Sequence, residues 1–164
     1  MKGLEGLKVV ELTSYVAGPA CPRILAEMGA TVYKIEPFEG DDYRNNASGF
    51  GMSKTEIDDP AFDLTSTNKT FVSINLKSEE GAKFLGKLLK EADVLVTSFR
   101  DKGLEHLGLD WETIHEKYPR LVWRKCAAMA GAALRRTRAG SITPPTTDEE
   151  ACSLLCRSRI ILLQ

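Results

Sequence analysis

The sequence predicts an α/β fold: an open parallel sheet with helices on both faces. Three observations predict it. Leu7 to Glu36 hold an apolar run (LKVVEL), a loop with Gly18 and Pro19, a helical pattern and a second apolar run (TVYKIE). Strand, loop, helix and strand in about 30 residues make a βαβ unit. From Thr70 to Trp123 strand-like and helix-like segments alternate again, and alternation of this kind builds parallel sheets. The 164 residues are 43% hydrophobic and 27% charged, the composition of a globular chain long enough to bury a core.

The elements follow in order. Leu7–Leu12 reads as a buried strand through Val9, Val10 and Leu12. Thr13–Gly18 is a loop, and Pro19 suits a first helical turn, where its missing N–H has no partner to lose. The helix is expected to turn Ile24, Leu25 and Met28 inward and to close at Gly29. Thr31–Glu36 is the second strand. Pro37–Asp63 is polar, weakly periodic and broken by glycines, with the run Ser48-Gly49-Phe50-Gly51. So long an irregular segment suits a substrate- or partner-facing loop region or a surface excursion.

Thr70–Leu76 alternates as a strand does. Ser78 is placed to cap a helix whose first turn holds Glu79 and Glu80. Phe84, Leu85, Leu88, Leu89 and Ala92 then share one helical face. Asp93–Phe99 is a strand, Asp110 caps a short helix with Trp111, Ile114 and Tyr118 on one side, and Arg120–Trp123 begins another strand. Right-handed crossovers distribute the helices over the two faces.

Net charge is −1, which gives no argument for nucleic acid or an anionic membrane as partner. No apolar run reaches the roughly 18 residues of a spanning helix, and no signal-peptide core is visible. The expectation is a cytoplasmic enzyme or binding domain. Cys21, Cys126, Cys152 and Cys156 are then expected as free thiols.

Candidate chemistry gathers at strand ends. In Val16-Ala17-Gly18-Pro19, small residues let a ligand's phosphates approach the backbone and the start of a helix. A plain tight turn explains the same residues. The dinucleotide fingerprint Gly-x-Gly-x-x-Gly is absent, although Glu36 stands where a ribose-binding acid would be sought. Lys34, Arg44, Lys69, Arg100 and Lys102 follow strands or sit near their ends. Converging cations of this kind suit a phosphorylated ligand, and each taken singly also suits a solvated surface. His106 and His115 are spaced off any helical ligand pair, and Cys152-x-x-x-Cys156 lacks a second ligand pair, so no metal site is expected. No nucleophile-elbow sequence is present. The residues alone reach an α/β domain for a phosphate-bearing ligand.

Several phrases in order resemble CoA-transferase family III, the carnitine/bile-acid CoA-transferase group. They are LKVVELTSYVAGPACPRILAEMGATVYKIE, the element Gly40-Asp41-Asp42-Tyr43-Arg44, the phrase Asn68 to Gly81, and Ala92 to Arg100. The resemblance spans Gly3 to Trp123 and is strongest to the branch acting on 2-hydroxyacyl-CoAs. It implies a Rossmann-like CoA-binding domain over residues 1–125, truncated before the family's second domain. No tightly bound cofactor is implied; coenzyme A and acyl-CoA are substrates, with carboxylic acids and, in the family, a homodimer as partners. Carried over by position, CoA contacts fall on Val16, Ala17, Asn68, Lys69, Ser98, Arg100 and His106. Pro37 and His106 stand where other members carry arginine.

The family's chemistry, by the same resemblance, uses an aspartate that takes the acyl group as a mixed anhydride and then becomes an aspartyl-CoA thioester. This is covalent catalysis split into two easier steps. That aspartate follows a Gly-rich phrase just beyond Trp123. Here the sequence reads RKCAAMAGAALRRTRAG, and Asp148 lacks the glycines and the aromatic neighbour. No catalytic residue is therefore assigned. Residues 126–164 are rich in Arg, Cys and Ala where the earlier chain favours Lys. They are expected to be an atypical tail, disordered or the product of a shifted reading frame. The function expected is family III CoA transfer in a catalytically incomplete fragment. The alternatives are a noncatalytic CoA-binding or self-associating fragment and, more distantly, an NAD-dependent oxidoreductase.

Overall fold

The computed structural model describes residues 3–45, 51 and 59–126. Its elements run β1 (Lys8–Leu12), α1 (Ala17–Glu27), β2 (Thr31–Glu36), a 3-10 turn (Asp42–Asn45), α2 (Pro60–Ser66), β3 (Thr70–Ser73), α3 (Glu79–Glu91), β4 (Val94–Thr97), α4 (Asp101–Leu107), α5 (Trp111–Lys117) and β5 (Val122–Lys125). The five strands form one sheet in the order β3-β2-β1-β4-β5, and every pairing is parallel. The strand order reverses direction between β1 and β4. In open α/β sheets ligands bind at such a point, outside the carboxyl ends of the strands.

Two apolar layers hold the helices to the sheet. On one face Val10, Leu12, Ile35 and Leu95 pack with Leu85 and Leu89 of α3, Leu104 of α4 and Ile114 of α5. On the other, Val9, Val32 and Val96 pack with Ala26 of α1 and with Ala30. The expected capping holds: the Ser78 hydroxyl accepts from Gly81 N at 3.0 Å, the Asp110 carboxylate accepts from Thr113 N at 3.0 Å, and Gly29 takes a positive φ of 104° after α1.

Several expectations are corrected. The inner face of α1 is Gly18, Pro19, Pro22 and Ala26; of the expected stripe Leu25 packs partly buried against the core, while Ile24 is 55% exposed and Met28 45%. Small residues bring this helix close to the sheet, so Ile24 and Met28 turn outward. On α3, Leu85 and Leu89 are buried while Phe84 faces out. The irregular segment after β2 ends in a helix, α2, started by Asp59 accepting from Phe62 N at 3.2 Å with Pro60 in the first turn. A second unforeseen helix, α4, precedes α5, and Gly108 ends it at φ 63°. The run Ser48–Phe50 and the expected tail after Cys126, with Asp148, Cys152 and Cys156, lie outside the described residues.

Candidate functional site

The loop after β1 is built on buried charge. Glu11, Lys34 and Asp41 are 0%, 0% and 5% exposed, and the side chain of Lys69 is 0% exposed. Parallel strands covered on both faces are ordinarily apolar throughout, so charges here need partners. They have them. The Lys34 ammonium lies 2.8 Å from Asp41 Oδ2 and 3.4 Å from Glu11 Oε1 and donates to the Thr13 carbonyl at 2.9 Å. The Lys69 ammonium lies 2.7 Å from Glu11 Oε2 and donates to the Pro19 carbonyl at 2.8 Å. Thr13 Oγ1 donates to Glu11 Oε1 at 2.6 Å. Asp41 Oδ1 accepts from Tyr15 N at 3.2 Å and Tyr43 N at 3.0 Å. Burial pulls the Lys69 ammonium below its ordinary range, and the Glu11 carboxylate pulls it back.

This arrangement corrects the set of converging cations. Lys34 and Lys69 point into the fold. Arg44 is committed to Glu36 Oε2 through Nε at 3.0 Å and Nη2 at 2.9 Å, and its guanidinium stacks 4.0 Å from the Phe62 ring and 4.8 Å from that of Phe71. Arg100 and Lys102 stay exposed.

Above the charges the loop itself is exposed: Tyr15 at 51%, Val16 at 41%, and Ala17 at the start of α1. Tyr15 sits at φ 63°, a conformation a bulky side chain adopts only under outside constraint. Gly18 lets the loops on either side of the strand reversal meet. A Cβ there would come 2.8 Å from Thr13 Cβ and 3.2 Å from Ser98 Cβ. Ser98, after β4, accepts from Ser14 N at 3.2 Å through its hydroxyl and donates its own N–H to the Leu12 carbonyl at 3.1 Å.

A groove of 1110 Å³ opens along the carboxyl edge. Pro37 and Phe38 line it after β2, Asn75 and Leu76 after β3, Phe99 after β4, and His106 from α4. Glu36 also lines it. That carboxylate is 5% exposed; Arg44 occupies Oε2, and Oε1 has no hydrogen-bond partner. A buried carboxylate oxygen of this kind can accept a hydroxyl or N–H proton.

The expected site residues thus divide. Val16, Ala17 and Ser98 form the first loop and its support. His106 lines the groove, and Arg100 is exposed one residue after Phe99. Asn68, at φ 63°, and Lys69 stand at the entry to β3, while the residues that reach the groove follow its exit. Phe99 falls inside the expected Ser98–His106 segment; sequence reasoning missed Phe38, Asn75 and Leu76, whose positions just past strand ends were the available signal. Burial pushes both the Cys21 and Cys126 thiols upward, so neither is held as a ready thiolate. Among the described residues no three His, Cys, Asp or Glu side chains are grouped to hold a metal ion, and no helix is long and apolar enough to cross a membrane.

A family model described as CoA-transferase family III matches residues 4–140. The (R)-2-hydroxy-4-methylpentanoate CoA-transferase of Clostridioides difficile is 47% identical over 120 residues, covering 73% of this chain and 30% of that protein. The cinnamoyl-CoA:phenyllactate CoA-transferase of Clostridium sporogenes is 45% identical over 119 residues, 73% of this chain and 29% of that one. Among solved structures, a CAIB/BAIF family protein from Brucella suis superposes with a TM-score of 0.67 at 35% identity, over 74% of this chain and 32% of that chain. The chain therefore spans less than a third of the length of the curated relatives named here.

Proposed function

The chain belongs to CoA-transferase family III, and from that premise we propose that its described part is the coenzyme-binding edge of such an enzyme. The observation that carries this reading is the groove at the carboxyl edge, with the open Glu36 Oε1 in its lining. Its 1110 Å³ lies just above the roughly 300–1,000 Å³ of small-molecule sites, leaving room for an extended ligand. In this reading the adenosine half lies between Phe38 and Phe99 and gives a hydroxyl or amino proton to Glu36 Oε1. Arg100, Lys102 and His106 face the phosphates, where charge-assisted hydrogen bonds are the strongest available. The pantetheine arm crosses Val16 and Ala17. Asn68 contributes by turning the chain so that Lys69 can reach under the first loop.

The reaction proposed for the whole protein is exchange of CoA between an acyl-CoA and a carboxylic acid. A 2-hydroxy acid is the preferred acid, because both relatives named above carry a 2-hydroxy acid in their names. A cytoplasmic location and a homodimer are proposed on the same family premise. We assign the binding half of the chemistry to these residues and no nucleophile among them.

The test is a residue-resolved NMR titration of the full chain with CoA. Saturable amide shifts are expected at Val16, Ala17, Leu76, Phe99 and His106, with NAD producing none of that pattern. Shifts confined to other residues, or an equal footprint from NAD, would contradict the assignment.

A further inference from the structure

We infer that Glu11, Lys34, Asp41 and Lys69 are positioning residues that fix the shape of the loop from Thr13 to Pro19, and through it the fit of the coenzyme. The second half of this inference rests on the coenzyme reading above; the first half does not.

The loop's backbone polar groups need partners. Four of them are held from below or from the side: Thr13 O by Lys34 at 2.9 Å, Ser14 N by Ser98 at 3.2 Å, Tyr15 N by Asp41 at 3.2 Å and Pro19 O by Lys69 at 2.8 Å. Three of the four partners belong to the buried quartet. The quartet closes on itself through Glu11, which faces Lys34 with one oxygen and Lys69 with the other. Its members come from β1, β2, the segment after β2 and the entry to β3, so the loop is tied to four places at once.

Stability alone does not explain such a choice. Apolar side chains of similar volume commonly replace buried ion pairs without loss of stability. They are non-directional, however, and cannot hold a carbonyl oxygen or an N–H at a set point. Directional bonds are what a loop needs when a residue such as Tyr15 must stay at φ 63°. The same bonds set where Val16 and Ala17 are presented. Lys69 then acts on a ligand through the backbone it holds, with its ammonium directed away from solvent.

Amide hydrogen exchange and CoA titration on the full chain test this. Asp41→Ala removes the acceptor of Tyr15 N; exchange at Tyr15 is expected to accelerate at least about 10-fold, the equivalent of one hydrogen bond to a charged group, with Ala26 in α1 unchanged. Asp41→Asn keeps Oδ1 as an acceptor for Tyr15 N but sets an Nδ2 donor against the Lys34 ammonium, 2.8 Å from Oδ2 in the unaltered chain, so it is expected to restore part of the Tyr15 protection. Lys69→Met is expected to weaken CoA by about 10-fold while Leu121→Ala, a core truncation just before the edge strand β5, leaves it unchanged in the folded chain. Equal effects of Asp41→Ala and Asp41→Asn, or unchanged Tyr15 exchange in both, would overturn the inference. Should Asp41→Ala not fold, Asp41→Asn and Lys69→Met carry the same readouts. If the unaltered chain binds no CoA, the coenzyme half falls with that reading, and the exchange data alone decide whether the quartet sets the loop.

Discussion

Replacing Lys34 by methionine lowers the unfolding free energy by about 3–5 kcal/mol, the scale for removing one member of a buried ion pair. The reason is what stays behind. Asp41 remains buried without the ammonium that stood 2.8 Å away, Glu11 keeps Lys69 but loses the Lys34 charge at 3.4 Å, and the Thr13 carbonyl loses its donor. Methionine matches the length of the lysine stem and so isolates the charge from the packing. Urea unfolding monitored by circular dichroism reads the change as a shifted midpoint with an unchanged slope. A surface pair gives the contrast. Lys83 and Glu79 are 2.6 Å apart but 70% and 82% exposed, and Lys83→Met is expected to cost less than about 1 kcal/mol. A loss of similar size at both positions would contradict the account of the buried quartet.

Gly81→Ala is the second large effect, and its sign separates structure from propensity. Alanine inside a helix is favoured over glycine by about 1 kcal/mol, so the sequence of α3 by itself predicts a gain. In the fold, a Cβ at Gly81 would stand 2.1 Å from the Asn75 carbonyl oxygen and 2.9 Å from Ile74 Cγ2. That carbonyl already accepts from Ser78 N at 3.1 Å and Ser78 Oγ at 2.8 Å, so it cannot withdraw without opening the turn that starts α3. A loss of about 2–3 kcal/mol is expected, the upper range for overpacking. The damage should reach function as well, because Asn75, Leu76 and Ser78 line the groove. Gly86 is the control: its added Cβ would come no nearer than 3.5 Å to the Tyr118 hydroxyl, and Gly86→Ala is expected to raise the midpoint. Thermal unfolding of the two variants side by side checks both signs.

The sheet was legible because periodicity and turn chemistry agree along it. Thr31–Glu36 was bounded correctly from its apolar run, and Ser78 and Asp110 announced their helices through residue type alone. The inner face of α1 was not legible in the same way. Hydrophobicity pointed to Ile24 and Met28, whereas closeness to the sheet is decided by size, and Gly18, Pro22 and Ala26 lie inside. The helices α2 and α4 span seven residues each, too short for a period to stand out; α5 is as short and was legible through its Asp110 cap.

The charges at the site were misread for a related reason. In sequence Lys34 and Lys69 look like surface cations beside a ligand loop. A lysine two places after Val32, on a strand covered from both sides, has to share the buried face of Val32. Glu11 on the neighbouring strand and Asp41 just past β2 were its available partners. That inference was within reach once the parallel sheet was accepted. The groove was less so, since Phe38, Asn75 and Phe99 come together only when three strand ends are placed side by side.

Isothermal titration calorimetry of CoA into the full chain tests most directly whether this sheet edge holds coenzyme A. A saturable heat with one site per chain is expected, weakened by Arg100→Gln and by Lys69→Met. No heat at millimolar CoA, from a chain shown to be folded in the same buffer, would contradict it.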